Sequence, residues 1–249
     1  MKIKSVIASI IILLSLASLI NPFNAAADEK VVYVVPIAET VEKGLLAFLE
    51  RAVEEAEEAG AEAIIFDVHT PGGVVDAADG IGKLLTGTDL KTVAFVNKKA
   101  LSAGAYISLN TDEIYMVPGA TMGSAAIIDQ QGNTAGKKAE SYWIAAMKAA
   151  AVESGRDPIY AQAMADESVD LSELGAGKGE LLTLTADQAL EVGYSEGTVK
   201  NLNELLEKLG FEDAEIRNVN ETFAEKLARF ITHPVVIPIL MTIGSLVGA

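Results

Sequence analysis

The stretch Leu101-Ser102-Ala103-Gly104-Ala105 decides how the rest of the chain is arranged. A serine followed by Ala-Gly-Ala suits a sharp turn from a strand into a helix, because no side chain larger than a methyl group crowds it. At such a turn the hydroxyl points outward, and the next backbone N–H points toward the group that the hydroxyl attacks. The apolar run Thr92–Val96 predicts the strand before the turn, and Ala103–Leu109 predicts a small-residue helix after it.

Apolar runs of strand length alternate with amphipathic helical segments through the first half of the chain, and this order predicts an α/β fold. Parallel pairing with right-handed crossovers follows, so we expect a layered fold with a mostly parallel sheet. Its reactive turns are expected at the carboxyl ends of the strands. The predicted early elements are strands at 30–37, 63–68 and 113–117, a helix from a Thr40 cap to Ala59, a Thr70-Pro71-Gly72-Gly73 turn, and a helix at 75–85.

The second half of the chain is more polar and richer in turns. We predict a polar surface loop over 129–136, helices over 138–154, 158–167, 185–193, 201–209 and 221–230, and strands over 181–184 and 215–219. The sequence Thr185-Ala186-Asp187-Gln188 is typical of a capping box at the start of a helix.

Composition excludes several classes of site and partner. The chain has 249 residues, of which 50% are hydrophobic, enough to bury one substantial core. It has no cysteine and two histidines, which leaves no thiolate ligands and little for a zinc site, so we expect no metal and no cofactor. The net charge of −16 argues against nucleic acid or anionic lipid as a partner of the folded surface.

The two ends of the chain indicate export and membrane attachment. Two early lysines, the apolar run Val6–Ile20 and the small residues at 25–27 predict a signal peptide over 1–27, with an uncleaved anchor as the alternative. Pro234–Ala249 has no charged residue and is shorter than a full membrane span, so we expect the beginning of a truncated transmembrane segment. The predicted domains are 1–27 signal peptide, 28–219 catalytic domain, 220–233 juxtamembrane helix and 234–249 membrane segment.

A serine hydroxyl becomes a nucleophile only with a base beside it. Lys137 and Lys138 stand where the polar loop meets a helix that carries an apolar face. An ammonium group cannot accept a proton, and burial against such a face favours the neutral amine. Lys98 and Lys99, on the approach to Ser102, are the competing lysines.

A histidine base remains a second possibility. His69 directly precedes the Thr-Pro-Gly-Gly sequence, and a triad with Asp67 or Asp76 would use it. Gly72 and Gly73 offer backbone N–H groups with no side chain in the way. With the N–H of Ala103, one of them can hold the oxyanion of a tetrahedral intermediate.

The ordered set of motifs resembles the NfeD family of membrane-bound serine proteases, which belongs to the Clp-protease/crotonase superfamily and includes the stomatin-operon partner proteins. The motifs are 70–73 (TPGG), 100–107 (ALSAGAYI), 118–124 (PGATMGS) and 138–143 (KAESYW), and the likeness extends over roughly Val31–Val247. A stretch at 184–193 also resembles one that recurs in this superfamily. In two respects the chain departs from the family: it ends inside the first expected membrane helix, and His69 stands where Asp or Asn is expected.

The resemblance implies that Ser102 is the nucleophile, that Lys138 is the general base, and that Gly73 and Ala103 are the oxyanion donors. Gly72, His69, Ser124 and Lys137 are supporting or alternative site residues.

The resemblance also implies peptide or protein substrates with apolar segments, a stomatin-like membrane partner and a homo-oligomer of two or more subunits. With the two ends of the chain, it places the enzyme at the cell membrane with its catalytic domain on the extracytoplasmic side. The alternatives are a signal-peptide peptidase, a non-proteolytic scaffold of membrane microdomains, and an acyl-CoA enzyme of the crotonase type. The acidic charge and the export signal argue against the last of these.

Overall fold

The computed structural model describes residues 30–128 and 136–247 of the chain. The predicted signal peptide and residues 129–135 of the predicted polar loop lie outside the described residues. The strands are β1 Val31–Val41, β2 Ala63–Gly73, β3 Lys91–Leu101, β4 Glu113–Met116, β5 Thr121–Gly123, β6 Thr183–Thr185, β7 Gly197–Thr198 and β8 Glu215–Asn218. The helices are α1 Lys43–Glu58, α2 Val75–Gly87, α3 Ala103–Leu109, α4 Lys137–Glu153, α5 Pro158–Ala165, α6 Ala186–Glu191, α7 Leu202–Leu209, α8 Phe223–Thr232 and α9 Val236–Val247, with a short 3-10 turn at Ser172–Leu174.

These strands form one sheet in the order β6-β5-β3-β2-β1-β8, and β4 joins it by pairing with both β3 and β7. The β5–β6 pair is antiparallel, and the other pairs are parallel. The predicted layered α/β fold with a mostly parallel sheet is therefore confirmed. The predicted helices and strands are present, and α3 begins and ends at the predicted residues. Most other ends lie within about three residues of the prediction, but β1, β2 and β3 continue four or five residues beyond their predicted ends.

The central strands are apolar throughout because helices cover both faces of the sheet. On β2, Ile64, Phe66 and Val68 belong to the large core on the side of α1 to α4. Ala63 and Ile65 belong to a smaller core on the other side, which α7 closes with Leu205 and Leu206. Alternate residues of one strand thus enter two different cores.

The Thr70-Pro71-Gly72-Gly73 sequence is the end of β2 rather than the predicted turn. Gly72 pairs with Thr40 and Gly73 pairs with Val41, after a register shift that follows His69. Proline has no N–H to give to a sheet, and the irregularity between regular pairs accommodates it. The approach to the predicted site is therefore held by strand pairing with β1.

The prediction that Thr40 caps α1 is wrong. β1 continues to Val41, and Glu42 is the N-cap, with its carboxylate accepting hydrogen bonds from the backbone N–H groups of Gly44 (2.5 Å) and Leu45 (2.9 Å). The extra pairing of β1 with the end of β2 keeps Thr40 in extended conformation, so the helix begins two residues later than its side-chain chemistry suggests.

The chain leaves the sheet after β8 and continues into α8 and α9. Within the described residues, neither helix alone is long and apolar enough to cross a bilayer. Taken together the two helices meet that requirement by length and composition, but the chain bends by 76° between them.

Candidate active site

Ser102 occupies a strained turn between β3 and α3. Its φ of 54° and ψ of −121° are unusual for a residue with a side chain. Backbone hydrogen bonds hold Ser102 on both sides. The N–H of Ser102 donates to the carbonyl of Gly123 (2.9 Å), and the carbonyl of Ser102 accepts from the N–H of Ala105 (3.0 Å). Strain of this kind persists only where the surrounding structure fixes it, and it occurs preferentially at functional positions.

Close packing around Ser102 requires glycine at two neighbouring positions, Gly72 and Gly104. A Cβ on Gly72 would lie 2.5 Å from the Ser102 Cβ and 3.0 Å from its Oγ. A Cβ on Gly104 would lie 2.5 Å from the Thr70 Cγ2, so α3 packs directly on the end of β2. The backbone of Gly72 therefore lies against the serine side chain, and the structure brings together the two stretches that the sequence analysis singled out.

Gly73 is held in place by β1. A Cβ there would come within 2.0 Å of the Val41 carbonyl oxygen, and the next residue, Val74, donates its N–H to that same oxygen (2.8 Å). Ala103 is the first residue of α3 and follows Ser102 directly. Both expected oxyanion donors thus lie in rigid backbone next to the serine.

A cavity of about 420 Å³ lies over Ser102. Apart from the serine its lining is apolar: Gly73, Val74, Val75, Ala103, Ala125–Ile128, Trp143 and Pro234. Sequence reasoning did not identify the wall at 125–128 or Pro234; the apolar run before the polar loop was the only signal for the former. Two other cavities lie elsewhere, one beside α8 (about 360 Å³) and one beside Asn110 (about 260 Å³).

One wall of this cavity is fixed by α4. The indole N–H of Trp143 donates to the carbonyl of Ala125 (2.6 Å), and its ring packs on Tyr106 of α3 at 4.8 Å between centroids. Burial raises the pKa of Tyr106 to about 12. Ser124, at a φ of 45°, shares a 2.5 Å hydrogen bond with the hydroxyl of Thr183, so it supports the wall.

Lys137 and Lys138 lie in the first turn of α4, with their side chains exposed. The burial against an apolar face that was expected for the base lysine is therefore not observed at either, and neither lines the cavity over Ser102. Tyr142, one helical turn beyond Lys138, donates to Asp79 of α2 (3.2 Å). Since residues four apart share a helix side, Lys138 belongs to the side of α4 that faces α2, the helix that begins just after Gly73. Lys98 and Lys99 lie in β3, where Lys99 pairs with Thr121.

The side chain of His69 lies on the face of the sheet opposite to the one that packs against α3. Phe66 and Val68 belong to the large core on the side of α1 to α4, so Asp67 between them points to the other face of the sheet, and His69 lies close to Asp67. The Nδ1 of His69 and the Oδ1 of Asp67 are buried without a hydrogen-bond partner among the described residues, and burial raises the pKa of Asp67. This placement does not support a triad of His69 with Ser102. No cluster of His, Cys, Asp and Glu suited to a metal was found in the described part of the chain.

The fold is that of the ClpP-like proteins. The chain superposes on ClpP1 from Listeria monocytogenes with a TM-score of 0.52 at 16% identity, covering 69% of this chain and 94% of that one. At this identity the likeness shows the fold alone.

Within that class, the chain belongs to the NfeD1b family, whose N-terminal-domain profile matches residues 31–219. It is 52% identical to "Membrane protein NfeD1b" of Bacillus subtilis (strain 168) over 246 residues, and 31% identical to "Membrane-bound protease PH1510" of Pyrococcus horikoshii over 265 residues. These matches cover 99% and 97% of this chain but 56% of each relative, so the chain spans about half the length of both.

Solved structures of a stomatin-specific membrane-bound protease named 1510-N are also similar. A lysine-to-alanine variant of it, in complex with a substrate peptide, matches with a TM-score of 0.71 at 29% identity, covering 82% of this chain and 99% of that one. A serine-to-alanine variant matches with a TM-score of 0.67 at 28% identity, covering 78% and 99%.

Proposed function

We propose that this chain is the catalytic part of a membrane-tethered serine endopeptidase that works with a Ser102/Lys138 dyad. The observation that carries the proposal is the backbone of Gly72 lying against a strained Ser102 at the floor of an apolar cavity. A peptide carbonyl entering that cavity would meet the serine hydroxyl beside Gly73 and Ala103, which line the same cavity, as acyl transfer requires.

In the proposed cycle, neutral Lys138 takes the proton of Ser102 while the hydroxyl oxygen bonds to the peptide carbonyl carbon. The N–H groups of Gly73 and Ala103 hold the resulting oxyanion. Lys138 then gives its proton to the leaving amine, and water releases the acyl group from the serine. The study of 1510-N as serine and lysine variants supports this assignment of roles.

The apolar lining of the cavity favours apolar peptide segments. The relatives add a membrane setting, since one is named a membrane protein and another a membrane-bound protease. Because 1510-N is named a stomatin-specific protease, we extend the proposal to a stomatin-like partner. A homo-oligomer follows only from the family resemblance, and an extracytoplasmic catalytic domain over 28–219 follows from that resemblance and the two ends of the sequence.

The test uses the full chain in detergent micelles with a set of apolar peptides and mass spectrometry of the products. We expect Ser102→Ala to abolish cleavage and Lys138→Ala to slow it about 10²- to 10⁴-fold. The matched control for the serine is Ser141→Ala, which changes an exposed side chain of α4 and should leave the rate unchanged. Lys137→Ala tests the alternative lysine, and cleavage should persist in it if Lys138 is the base. Cleavage that survives in Ser102→Ala rejects the proposal.

The pH dependence tests the lysine separately. With saturating substrate and chemistry rate-limiting, the rate should rise with pH as the base loses its proton, and a flat profile from about pH 5 to 9 contradicts a lysine base. Cleavage of signal peptides in preference to other apolar segments would favour a signal-peptide peptidase, and an intact cellular phenotype of Ser102→Ala would favour a scaffold.

A further inference from the structure

Helix α8 is attached to the catalytic domain through its charged residues. Glu225 forms a two-pronged ion pair with Arg51 of α1 (2.6 and 3.1 Å). Arg229 binds the buried carboxylate of Glu42 (2.8 Å) and the carbonyls of Ala38 and Thr40 (both 2.9 Å). A further contact joins the hydroxyl of Thr232 to Glu42. The side of α8 that faces the protein is thus polar.

The opposite side of α8 is apolar and exposed. Phe223, Leu227, Phe230 and Ile231, which we call the apolar stripe, are 83%, 48%, 62% and 46% exposed. Their spacing of four, seven and eight residues places them on one side of a helix. A surface helix of a globular domain normally has the reverse arrangement, with its apolar side against the core and its charges in water. Something apolar outside this domain therefore has to cover the stripe.

The chain itself indicates what covers it. Directly after α8 come Val235, which is 64% exposed, and α9, which carries no charged residue and exposes Met241 and Leu246 by 71% and 75%. The bend of 76° sets α8 roughly across the direction of α9. A helix whose apolar side continues into such a segment at a steep angle has the form of an interfacial helix beside a membrane-inserted one.

We propose that α8 lies in the plane of a lipid bilayer surface, with the apolar stripe sunk into the boundary between headgroups and acyl chains. The ion pairs on its other side then fix the height and orientation of the catalytic domain above the lipid. The net charge of −16 makes an uncharged, zwitterionic surface the better partner, since anionic headgroups repel the domain.

The position of Pro234 extends this proposal to the substrate. Pro234 lies between α8 and α9 and also lines the cavity over Ser102. A bilayer that receives the apolar stripe therefore lies beside that cavity. If the proposed peptidase function holds, on which this step rests, the substrates are polypeptide segments next to a membrane anchor.

The absence of native cysteine permits a direct test. The full chain is reconstituted into phosphatidylcholine vesicles as single-cysteine variants Leu227→Cys and Phe230→Cys, each labelled with the polarity-sensitive fluorophore NBD. The control is Glu58→Cys, an exposed site on the polar side of α8 at the far end of α1, about 10 Å along the helix axis beyond Arg51, which pairs with Glu225. The vesicles contain phosphatidylcholine with a nitroxide on its acyl chain, which quenches only fluorophores that lie in the lipid.

We expect blue-shifted emission and loss of most of the fluorescence at positions 227 and 230, and neither change at 58. Unquenched, red-shifted emission at all three positions overturns the proposal. So does emission at 227 and 230 that is already blue-shifted in detergent at high protein concentration and unaffected by nitroxide lipid, because a second copy of the chain then covers the stripe.

The substrate step has a separate readout. One apolar peptide is offered to the vesicle-bound enzyme in two forms, with and without a lipid anchor, and the anchored form should be cut roughly tenfold faster or more at equal total peptide concentration. Equal rates for the two forms overturn the substrate step. Cleavage of neither form, with the stripe quenched by lipid, overturns the peptidase function and leaves the membrane surface established.

Discussion

Replacing Gly72 by alanine tests whether the approach of β2 to Ser102 is as close as the geometry indicates. The new methyl group would lie 2.5 Å from the Ser102 Cβ, 2.9 Å from the carbonyl oxygen of Leu101 and 3.0 Å from the serine Oγ. None of these is the free end of a flexible side chain. Gly72 also has a φ of +99°, a conformation that residues with a Cβ rarely adopt.

The expected loss has two parts. The backbone conformation costs alanine about 1 to 3 kcal/mol, and the steric overlap costs about 1 to 3 kcal/mol more. At roughly 3 °C per kcal/mol for a chain of this size, the melting temperature should fall by about 10 °C. The methyl group also pushes the serine from its position, and a displacement of about 1 Å lowers the rate roughly 10²-fold.

The matched control is Gly60→Ala. Gly60 has a φ of +63°, and a Cβ there meets nothing within 4 Å, so it shares the backbone cost without the contact. Thermal unfolding by circular dichroism and the rate of peptide cleavage are measured on both variants. If Gly72→Ala matches Gly60→Ala in melting temperature and in rate, the contact between Gly72 and Ser102 is not as described.

Four further predictions concern other side chains, three of them buried and one exposed. Trp143→Phe removes the indole donor from the carbonyl of Ala125, which should lower the free energy of unfolding by about 1 to 3 kcal/mol in urea titrations; an unchanged value contradicts the buried bond. Arg229→Met leaves a buried carboxylate without its ion pair and should cost roughly 3 kcal/mol. Arg217→Ala, whose ion pair is 41% and 44% exposed, should cost less than about 1 kcal/mol, and equal losses would refute the distinction. Burial raises the pKa of Tyr106 to about 12 from an ordinary 10, so the neutral phenol contributes stability below pH 10 that is lost between pH 10 and 12. Over that interval the free energy of unfolding of Tyr106→Phe should fall by roughly 1 to 2 kcal/mol less than that of the wild type. Parallel pH dependences of the two unfolding free energies would contradict the raised pKa.

Much of the fold was predictable because its signals are local. Buried parallel strands appear as continuous apolar runs, and α3 is bounded by the strained serine at one end and Asn110 at the other. The short strands β5 and β7 were not predicted, since two or three residues carry no periodicity and extend only because a neighbour pairs with them. The wrong cap at Thr40 has the same origin, because pairing with Gly72 outweighs the local capping preference.

The candidate site divides along the same line. The Ser102 turn was recognisable because the small residues it requires, Ala103, Gly104 and Ala105, directly follow it in the sequence. Pro234 was not, because it reaches the cavity from 132 residues further along the chain. Lys138 as the base stays a prediction that rests on the family resemblance and on its side of α4.

The end of β1 connects the two parts of the molecule that sequence reasoning treated separately. Val41 pairs with Gly73 and accepts the N–H of Val74, so it sets the backbone beside the serine. The next residue, Glu42, caps α1 and binds Arg229 of α8. Adjacent Cα atoms are about 3.8 Å apart, so the residue that binds α8, Glu42, directly follows the residue that pairs with the strand beside Ser102, Val41.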